Sequence, residues 1–574
     1  MASKTNKIIV DGVPLLLICT LALSLRIVYL VQFKETPLFH NLSLDPLFYD
    51  RSALSILDGD YLLGKKVLDM GPLYSYFLAA IYAVFGHDLF VARVLQALLG
   101  TLNCLLIYLI ALNIFDKKVA FASAFMAAIY GPFIFTDGNL ISESLVIFTN
   151  LFLILALIEA RERDSFIWWY LSGLILGISA IIRPNILLFA PLAILWIIAN
   201  MKVEGTAKTL FFCFLFFLGT ITAIAPVTAR NYLLAGDKVL ITSSGGLNFY
   251  LGNNKDASGI LTEPDFIRPD PAYEHEDARK EASRLSGKDL KASEASAFWF
   301  KKGIEYIREN PSHFMKLMEK KFFFLANAYE VPDNLNYHFL KKYSSLLNLP
   351  LLHYGIIFPL AMAGIFFSLK EWRKYLLLYF LSTSYIIFLL SFFITSRYRI
   401  PLAPYLILFS SFGLFRLWHF LKKKNYNAVF FFLLLFSLTF FYSNMDPEKE
   451  RKRFEAQSHD SLGGAYYQEK KLDIALKEFE KAAHLLPNNP NISNNLAWAY
   501  AESGRNLDKA RELSEFAVKA QPQNTGFLDT LAFVYFKMGW PRESEELIKK
   551  ALLIEPENMD LRMRLEKLKK GRFL

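Results

Sequence analysis

The chain reads as an all-α protein, a polytopic membrane domain followed by a tail of repeated helix pairs. Three observations predict this. Of the 574 residues, 54% are hydrophobic and 16% aromatic, and the mean hydropathy is +0.29. Soluble domains average roughly 45–50% apolar residues. Many apolar runs reach the roughly 20 residues needed to cross a bilayer. Beyond residue 456 the composition turns polar, and tyrosines recur at Tyr466, Tyr500 and Tyr535.

The net charge of +10 is no nucleic-acid signature, because Lys and Arg mostly flank apolar runs, where they set membrane orientation. No nucleic-acid partner is expected. The three cysteines, Cys19, Cys104 and Cys213, all lie inside apolar segments. That excludes a disulfide framework and gives no Cys metal site.

The first apolar run, 13–33, is long, holds Arg26 and lacks a small-residue cleavage site. It predicts an uncleaved span rather than a signal peptide. An intramembrane Arg26 should face the protein interior. Further spans are predicted at 89–115, 119–136, 140–159, 167–182, 185–201, 209–226, 351–369, 375–394, 400–420 and 426–443, about 11 in all. One set of short connections carries Lys4/Lys7, Lys117/Lys118, Arg161/Arg163, Lys202/Lys208, Lys370/Arg373/Lys374 and Lys422/Lys423/Lys424. The positive-inside rule puts that set in the cytoplasm. The opposite side receives loop 34–88, the 137–143 turn, Arg183-Pro184, segment 227–350, the Thr395–Arg399 turn and the tail. Every unusual polar cluster falls there.

Segment 227–350 is too long for a bare connection and should be partly folded. Phe298, Phe300, Ile304 and Ile307 stand at helical spacing, and Asn310-Pro311 opens a second amphipathic helix. The membrane domain is thus 1–445, with outer loops 34–88 and 227–350. In the tail, Gly463, Tyr466, Ala475, Phe479, Ala482 and Pro487 take the offsets of a tetratricopeptide repeat. Ala497, Tyr500, Ala510, Ala517 and Pro522 make a second copy, and Ala532, Tyr535, Ser544, Ala551 and Pro556 a third. Residues 456–570 are therefore expected to form an α-solenoid of about three repeats and a cap helix, with a groove for a protein or peptide.

Candidate chemistry gathers in the first loop, LDPLFYDRSALSILDGDYLLGKKVLDMGPLYSYF (44–77). Asp45 suits a general base whose pKa burial would raise, although Asp before Pro46 also suits a helix N-cap. If a helix starts there, Tyr49 and either Asp50 or Arg51 lie near it. Asp69 is a second acid, and Glu143, beside Asp137, a third. Arg183, Arg230 with Asn231, Arg397 and Arg399 are all predicted at outer membrane ends. Arginine forks suit phosphate, although a single such arginine commonly only snorkels. His40, His87, His275, His338 and His353 are scattered and read as structural. No metal ligands are predicted, and a divalent-cation requirement stays open.

The first-loop acid, GPLYSYFLAAIYAVFG, LISESLVIF, IIRPN, APVTARNYLLAGDKVLITSSGGLNFYLGNN, IRENPSHFMKLMEKKFFFLANAYEVPDNLNY and SRYRIPLAPYL together resemble bacterial glycosyltransferase family 39. This is the branch of the GT-C superfamily similar to protein mannosyltransferases and lipid A aminoarabinose transferases. The resemblance covers about residues 10–420 and implies a GT-C membrane fold. It also implies transfer of a hexose or pentose from a polyprenyl-phosphate carrier to an outer-face acceptor hydroxyl. Asp45 matches the family's presumed base, Asp69 and Glu143 its further acids, and Arg397 and Arg399 its late arginines. Pro46 and Met70-Gly71 depart from it, standing where the family often has Glu and Lys, and leave Lys65 or Lys66 for a phosphate contact. The tail's groove favours a protein acceptor, and the expected location is the cell (inner) membrane, with a cytoplasmic N-terminus and an extracytoplasmic tail, periplasmic if the cell is Gram-negative. A lipid or glycan acceptor, and an inactive membrane-anchored scaffold, are the alternatives. A transporter is disfavoured, since no paired, Gly/Pro-broken half-repeats occur.

Overall fold

The computed structural model describes residues 12–163, 165–201, 205–262, 264, 266–268 and 271–573. Lys4, Lys7 and Lys202 of the orientation pattern lie outside the described residues. Among the described residues the protein is all-α, with two isolated β-bridges, Tyr130 to Leu352 and Ile260 to Ile394. Two compact units emerge. The first takes in residues up to Lys34 and Leu42–Asp446; the second comprises Glu35–Asn41 and Pro447–Leu574.

In the first unit, eight helical runs among the described residues are long and apolar enough to cross a membrane. One of them, Tyr354–Ser391, is two helices, Tyr354–Ser368 and Trp372–Ser391, joined by a 3-10 turn at Leu369–Glu371. The hydroxyls of Ser368 and Tyr379 lie 2.5 Å apart. In one straight helix, eleven residues would separate them by roughly 16 Å, so the chain turns back at Leu369–Glu371. The expected span 119–136 is broken into Lys117–Ala128 and Gly131–Asp137. Pro132 cannot continue a helix, and the strand-like pairing of Gly131 N–H with the Leu352 carbonyl at 2.9 Å takes up a freed backbone donor. Phe166–Ile182 has 17 residues, and Leu73–Phe85 is a further short apolar helix.

Small residues let these helices approach, as expected where apolar surface alone gives no drive to associate. Gly173 and Gly177 of Phe166–Ile182 lie against the Phe216 and Thr220 carbonyls of Thr206–Ala235. Gly219 of that helix lies against the Tyr170 carbonyl in return. A methyl at any of the three would overlap a backbone oxygen. Arg26 is buried, as expected for an intramembrane charge. Its Nε donates to Asp137 Oδ2 at 2.7 Å, and Ser144 Oγ donates to Asp137 Oδ1 at 2.5 Å.

Connections of the first unit contribute to two of its cavities. Phe115, Asp116, Glu371, Tyr375, Arg416 and His419 line one cavity of about 270 Å³, drawn from connections that the charge pattern places together. The first loop, Arg183, segment 227–350 and the 395–399 turn line another cavity.

The second unit holds helix pairs Glu448–Gln468/Leu472–Leu485, Pro490–Ser503/Leu507–Ala520 and Thr525–Lys537/Pro541–Ile554, then Met559–Lys569. Ala475, Ala482, Ala497, Ala510, Ala517, Ala532 and Ala551 are all 0% exposed, so the paired helices meet at small side chains.

Candidate active site

The site begins with a strained residue. Leu44 has φ +53°, a left-handed conformation unusual for a bulky side chain. It opens the helix Leu44–Leu57, whose N-cap position is Ser43, not Asp45. Asp45 is thus free of capping. Its backbone N–H donates to Asn334 Oδ1 at 3.1 Å, and its carboxylate accepts from Arg397 Nη1. Tyr49, one turn on, is buried beside it and lines the same cavity.

Arg397 is carried by the short helix Ser396–Arg399, capped by the Thr395 hydroxyl accepting from Tyr398 N–H at 3.3 Å. Besides Asp45, it holds two more carboxylates. Nε donates to Glu143 Oε1 at 2.8 Å, and Nη1 to Asp333 Oδ2 at 3.1 Å. Glu143 starts the helix Glu143–Arg163, where the helix dipole favours an anion. It also pairs with Arg183 Nη2. Arg183 sits at the break between Ile182 and Pro184, its Nε 3.3 Å from Ser142 Oγ and its guanidinium 4.7 Å above the Tyr398 ring. Glu143 is fully buried, and its Oε2 has no hydrogen-bond partner among the described residues.

Asp45, Tyr49, Arg183, Asp333 and Arg397 line a cavity of about 400 Å³, and Glu143 is paired with both of its arginines. Its polar lining is Asp45, Asp69, Asp333, Arg183 and Arg397, with Glu274 and His275 from the helix Pro271–Ser286. Its apolar lining includes Leu188, Leu261, Phe388, Phe392 and Phe393, of which Leu188 and Phe388 stand on membrane-length runs. Burial pushes the Asp69 carboxyl above its ordinary range, against the pull of His275 and Lys66. Burial likewise raises Glu274 and Asp333, the latter opposed by Arg397. Asp69 and His275 also line an adjoining cavity of about 290 Å³. Among the described residues, no group of His, Cys, Asp and Glu is arranged as a metal cage.

The fold therefore brings Asp45, Tyr49, Asp69, Glu143, Arg183 and Arg397 together. Five of the candidates lie elsewhere. Arg51 is exposed, because six residues along a helix carry it well round from Asp45, whereas Tyr49 at four returns to the same face. Asp50 instead accepts from Tyr82 OH at 2.7 Å and lies 2.8 Å from His87 Nε2. Arg230 spends its guanidinium on the carbonyls of Leu62, Leu63, Gly64 and Lys66. Asn231 donates to the Val239 and Ile241 carbonyls at 3.3 and 2.9 Å. Both tie first-loop and following backbone rather than facing the cavity. Arg399 is 2% exposed, bonded to Glu330 at 2.8 Å and stacked 3.8 Å over Tyr354. Asp333, Asn334 and Glu274 were not singled out from sequence. The Pro332-Asp333-Asn334 turn offered the only signal, a tight polar turn on the predicted outer side.

Residues 69–229 match the family model described as dolichyl-phosphate-mannose-protein mannosyltransferase. That stretch carries Asp69, Glu143 and Arg183; Asp45, Asp333 and Arg397 lie outside it. The fold is similar to that of the archaeal oligosaccharyltransferase AglB from Archaeoglobus fulgidus in complex with an inhibitory peptide and a dolichol-phosphate. Identity is 14% and the TM-score 0.43, over 78% of this chain and 58% of that one. A structure of the Archaeoglobus fulgidus oligosaccharyltransferase in complex with Zn and sulfate is similar at 16% identity and TM-score 0.44, over 77% of this chain and 55% of that one. The chain thus spans under two thirds of the length of these structures. The family match agrees with the resemblance carried by the sequence motifs, that of a multi-pass membrane glycosyltransferase of GT-C type.

Proposed function

We propose that the chain transfers a sugar, a hexose or pentose, from a polyprenyl-phosphate carrier to an acceptor hydroxyl at the membrane face that bears the Asp45 cavity. The observation that carries this reading is the meeting of Asp45, Arg183 and Arg397 at one amphiphilic cavity. The apolar lining residues suit the first isoprene units of a lipid. The two guanidiniums suit the phosphate, where negative charge grows as the glycosidic bond breaks and fixed cations lower the barrier most. Asp45 accepts the proton of the acceptor hydroxyl as its oxygen attacks the anomeric carbon. The lipid phosphate leaves as an anion, so no strong acid is needed. Glu143 touches both arginines and holds their spacing.

The acceptor in this reading is a protein, recruited by residues 456–570 acting as a tetratricopeptide array whose groove takes a peptide. The positive-inside pattern supports a cytoplasmic N-terminus and an extracytoplasmic cavity and tail. A glycolipid or glycan acceptor would use the same chemistry.

The test is reconstituted transfer from polyprenyl-phosphate sugars, with glycan mass spectrometry of envelope proteins and lipids from a deletion strain to name the acceptor. Asp45→Asn should lower turnover by at least about a hundredfold while the folded protein still binds lipid phosphate. Full turnover by that variant would remove Asp45 from the role.

A further inference from the structure

The cavity proposed to hold an anion is itself rich in anions. Asp45, Asp69, Glu274 and Asp333 line it and Glu143 stands directly behind Arg397, against the guanidiniums of Arg183 and Arg397. Every one of these arginines is already engaged. Arg397 is shared by Asp45, Glu143 and Asp333, and Arg183 is paired with Glu143. A phosphodiester brings one further negative charge into a space where charges are poorly screened. It can take Arg397 Nη1, the atom shared by Asp45 and Asp333, only if a carboxylate gives way.

We propose that donor binding is coupled to uptake of one proton by Asp333, which surrenders Arg397 to the incoming phosphate. The proton comes from solvent and ends on a carboxyl oxygen of Asp333. One anion and one proton enter together, so the net charge of the site is unchanged. Asp333 suits this role better than its neighbours. Asp45 must stay ionised to act as base, and Glu143 holds two guanidiniums at the start of a helix. Asp333 makes a single ion pair, at the longer distance of 3.1 Å, from the 327–336 loop. Arg397, Asp45, Arg183 and Tyr398 act on it, with Glu274 and His275 from the helix Pro271–Ser286 and Asp69 lining the same cavity. Burial already raises its carboxyl, and an arriving anion moves it further in the same direction. Asp333 is thus a positioning residue, setting when Arg397 is free.

Given the donor site proposed above, the experiment measures binding rather than turnover. The probe is a short-chain polyprenyl methyl phosphodiester, which keeps one charge across the neutral range. It is titrated calorimetrically into the full chain in detergent, in two buffers of different ionisation enthalpy, with and without EDTA. The wild-type protein should take up close to one proton per ligand, and its affinity should fall about tenfold per pH unit above neutrality. Asp333→Asn should bind without proton uptake, with a flat pH profile and tighter than wild type at pH 8. Asp333→Glu, which restores the charge, should restore the uptake. Binding without proton uptake in the wild type would overturn the proposal, as would weaker binding by a folded Asp333→Asn protein. Binding that EDTA abolishes would assign the missing charge to a divalent cation instead, and also overturn it. Failure of the wild-type protein to bind the probe at any pH would sink the donor site itself.

Discussion

Removing the Arg399 guanidinium would leave Glu330 charged and buried with no cation beside it. Breaking a buried pair in this way costs about 3–5 kcal/mol. Arg399→Ala is therefore expected to lower the melting temperature and yield of the membrane domain. The molecules that do fold should bind the phosphodiester with unchanged affinity, because Arg399 bonds Phe324, Asn327 and Glu330 rather than the cavity. Arg397→Ala should also destabilise, since three carboxylates lose their shared partner, but its folded fraction should lose donor binding altogether. Equal loss of binding in both variants would mean that Arg399 contributes to the site. Two arginines in SRYRIP carry the same charge at nearly the same depth, and a sequence reading by type and membrane side treats them alike. What separates them is direction. Asp45, Glu143, Arg183 and Arg397 were legible because charge at a span's outer end is costly and therefore noticeable. Asp333 was not, because its meaning comes from Arg397, 64 positions away.

At the scale of helices, close backbone approach fixes where the arginines stand. Gly71 lies against the Ile181 and Ile182 carbonyls, at the end of the helix that delivers Arg183. Gly71→Ala would push that end away and with it the guanidinium. Donor affinity is expected to fall at least severalfold with little change at Asp45; unchanged donor affinity would show that the helix end yields without moving Arg183. Gly71 in the Met70-Gly71 departure thus has a local steric reason. Apolar runs located most spans because hydropathy is a property of the run itself. The break at Ile129–Gly131 depends on pairing with Leu352, and the reversal at Leu369–Glu371 on where two helices meet. In the tail, burial pushes both Asp460 and Asp529 up to about 6. An unfolded Asp titrates near 3.9. Between these values the folded tail holds protons that the unfolded chain has released, so its stability falls as pH rises from about 4 to 6. Each group contributes at most ~3 kcal/mol to that fall. The Asp460→Asn/Asp529→Asn double variant should lose most of the slope when tail unfolding is followed by pulse proteolysis in urea; an unaltered slope would mean that neither carboxyl titrates there.

At the scale of the whole molecule, chemistry and recruitment are proposed to reside in separate units, and truncation can separate them. The second unit has its own buried core, running from Ala475 through Leu528 and Phe533 to Leu568. The first unit contains every residue of the Asp45 cavity. Ending the chain at Asp446 would remove most of the second unit but leave its Glu35–Asn41 portion, in which Pro37, Leu38 and Phe39 are buried. The truncated protein should therefore also carry Leu38→Ser and Phe39→Ser, to avoid new apolar surface. Such a protein is expected to bind the phosphodiester as the full chain does, and to keep donor hydrolysis and transfer to short acceptors. Its kcat/KM for folded protein acceptors should fall about ten- to a hundredfold, the share that a second binding contact typically supplies. Undiminished transfer to protein acceptors would remove the tail from acceptor choice. Loss of donor hydrolysis along with protein transfer, in a protein that still binds lipid phosphate, would make the tail part of the catalytic machinery rather than its recruiter.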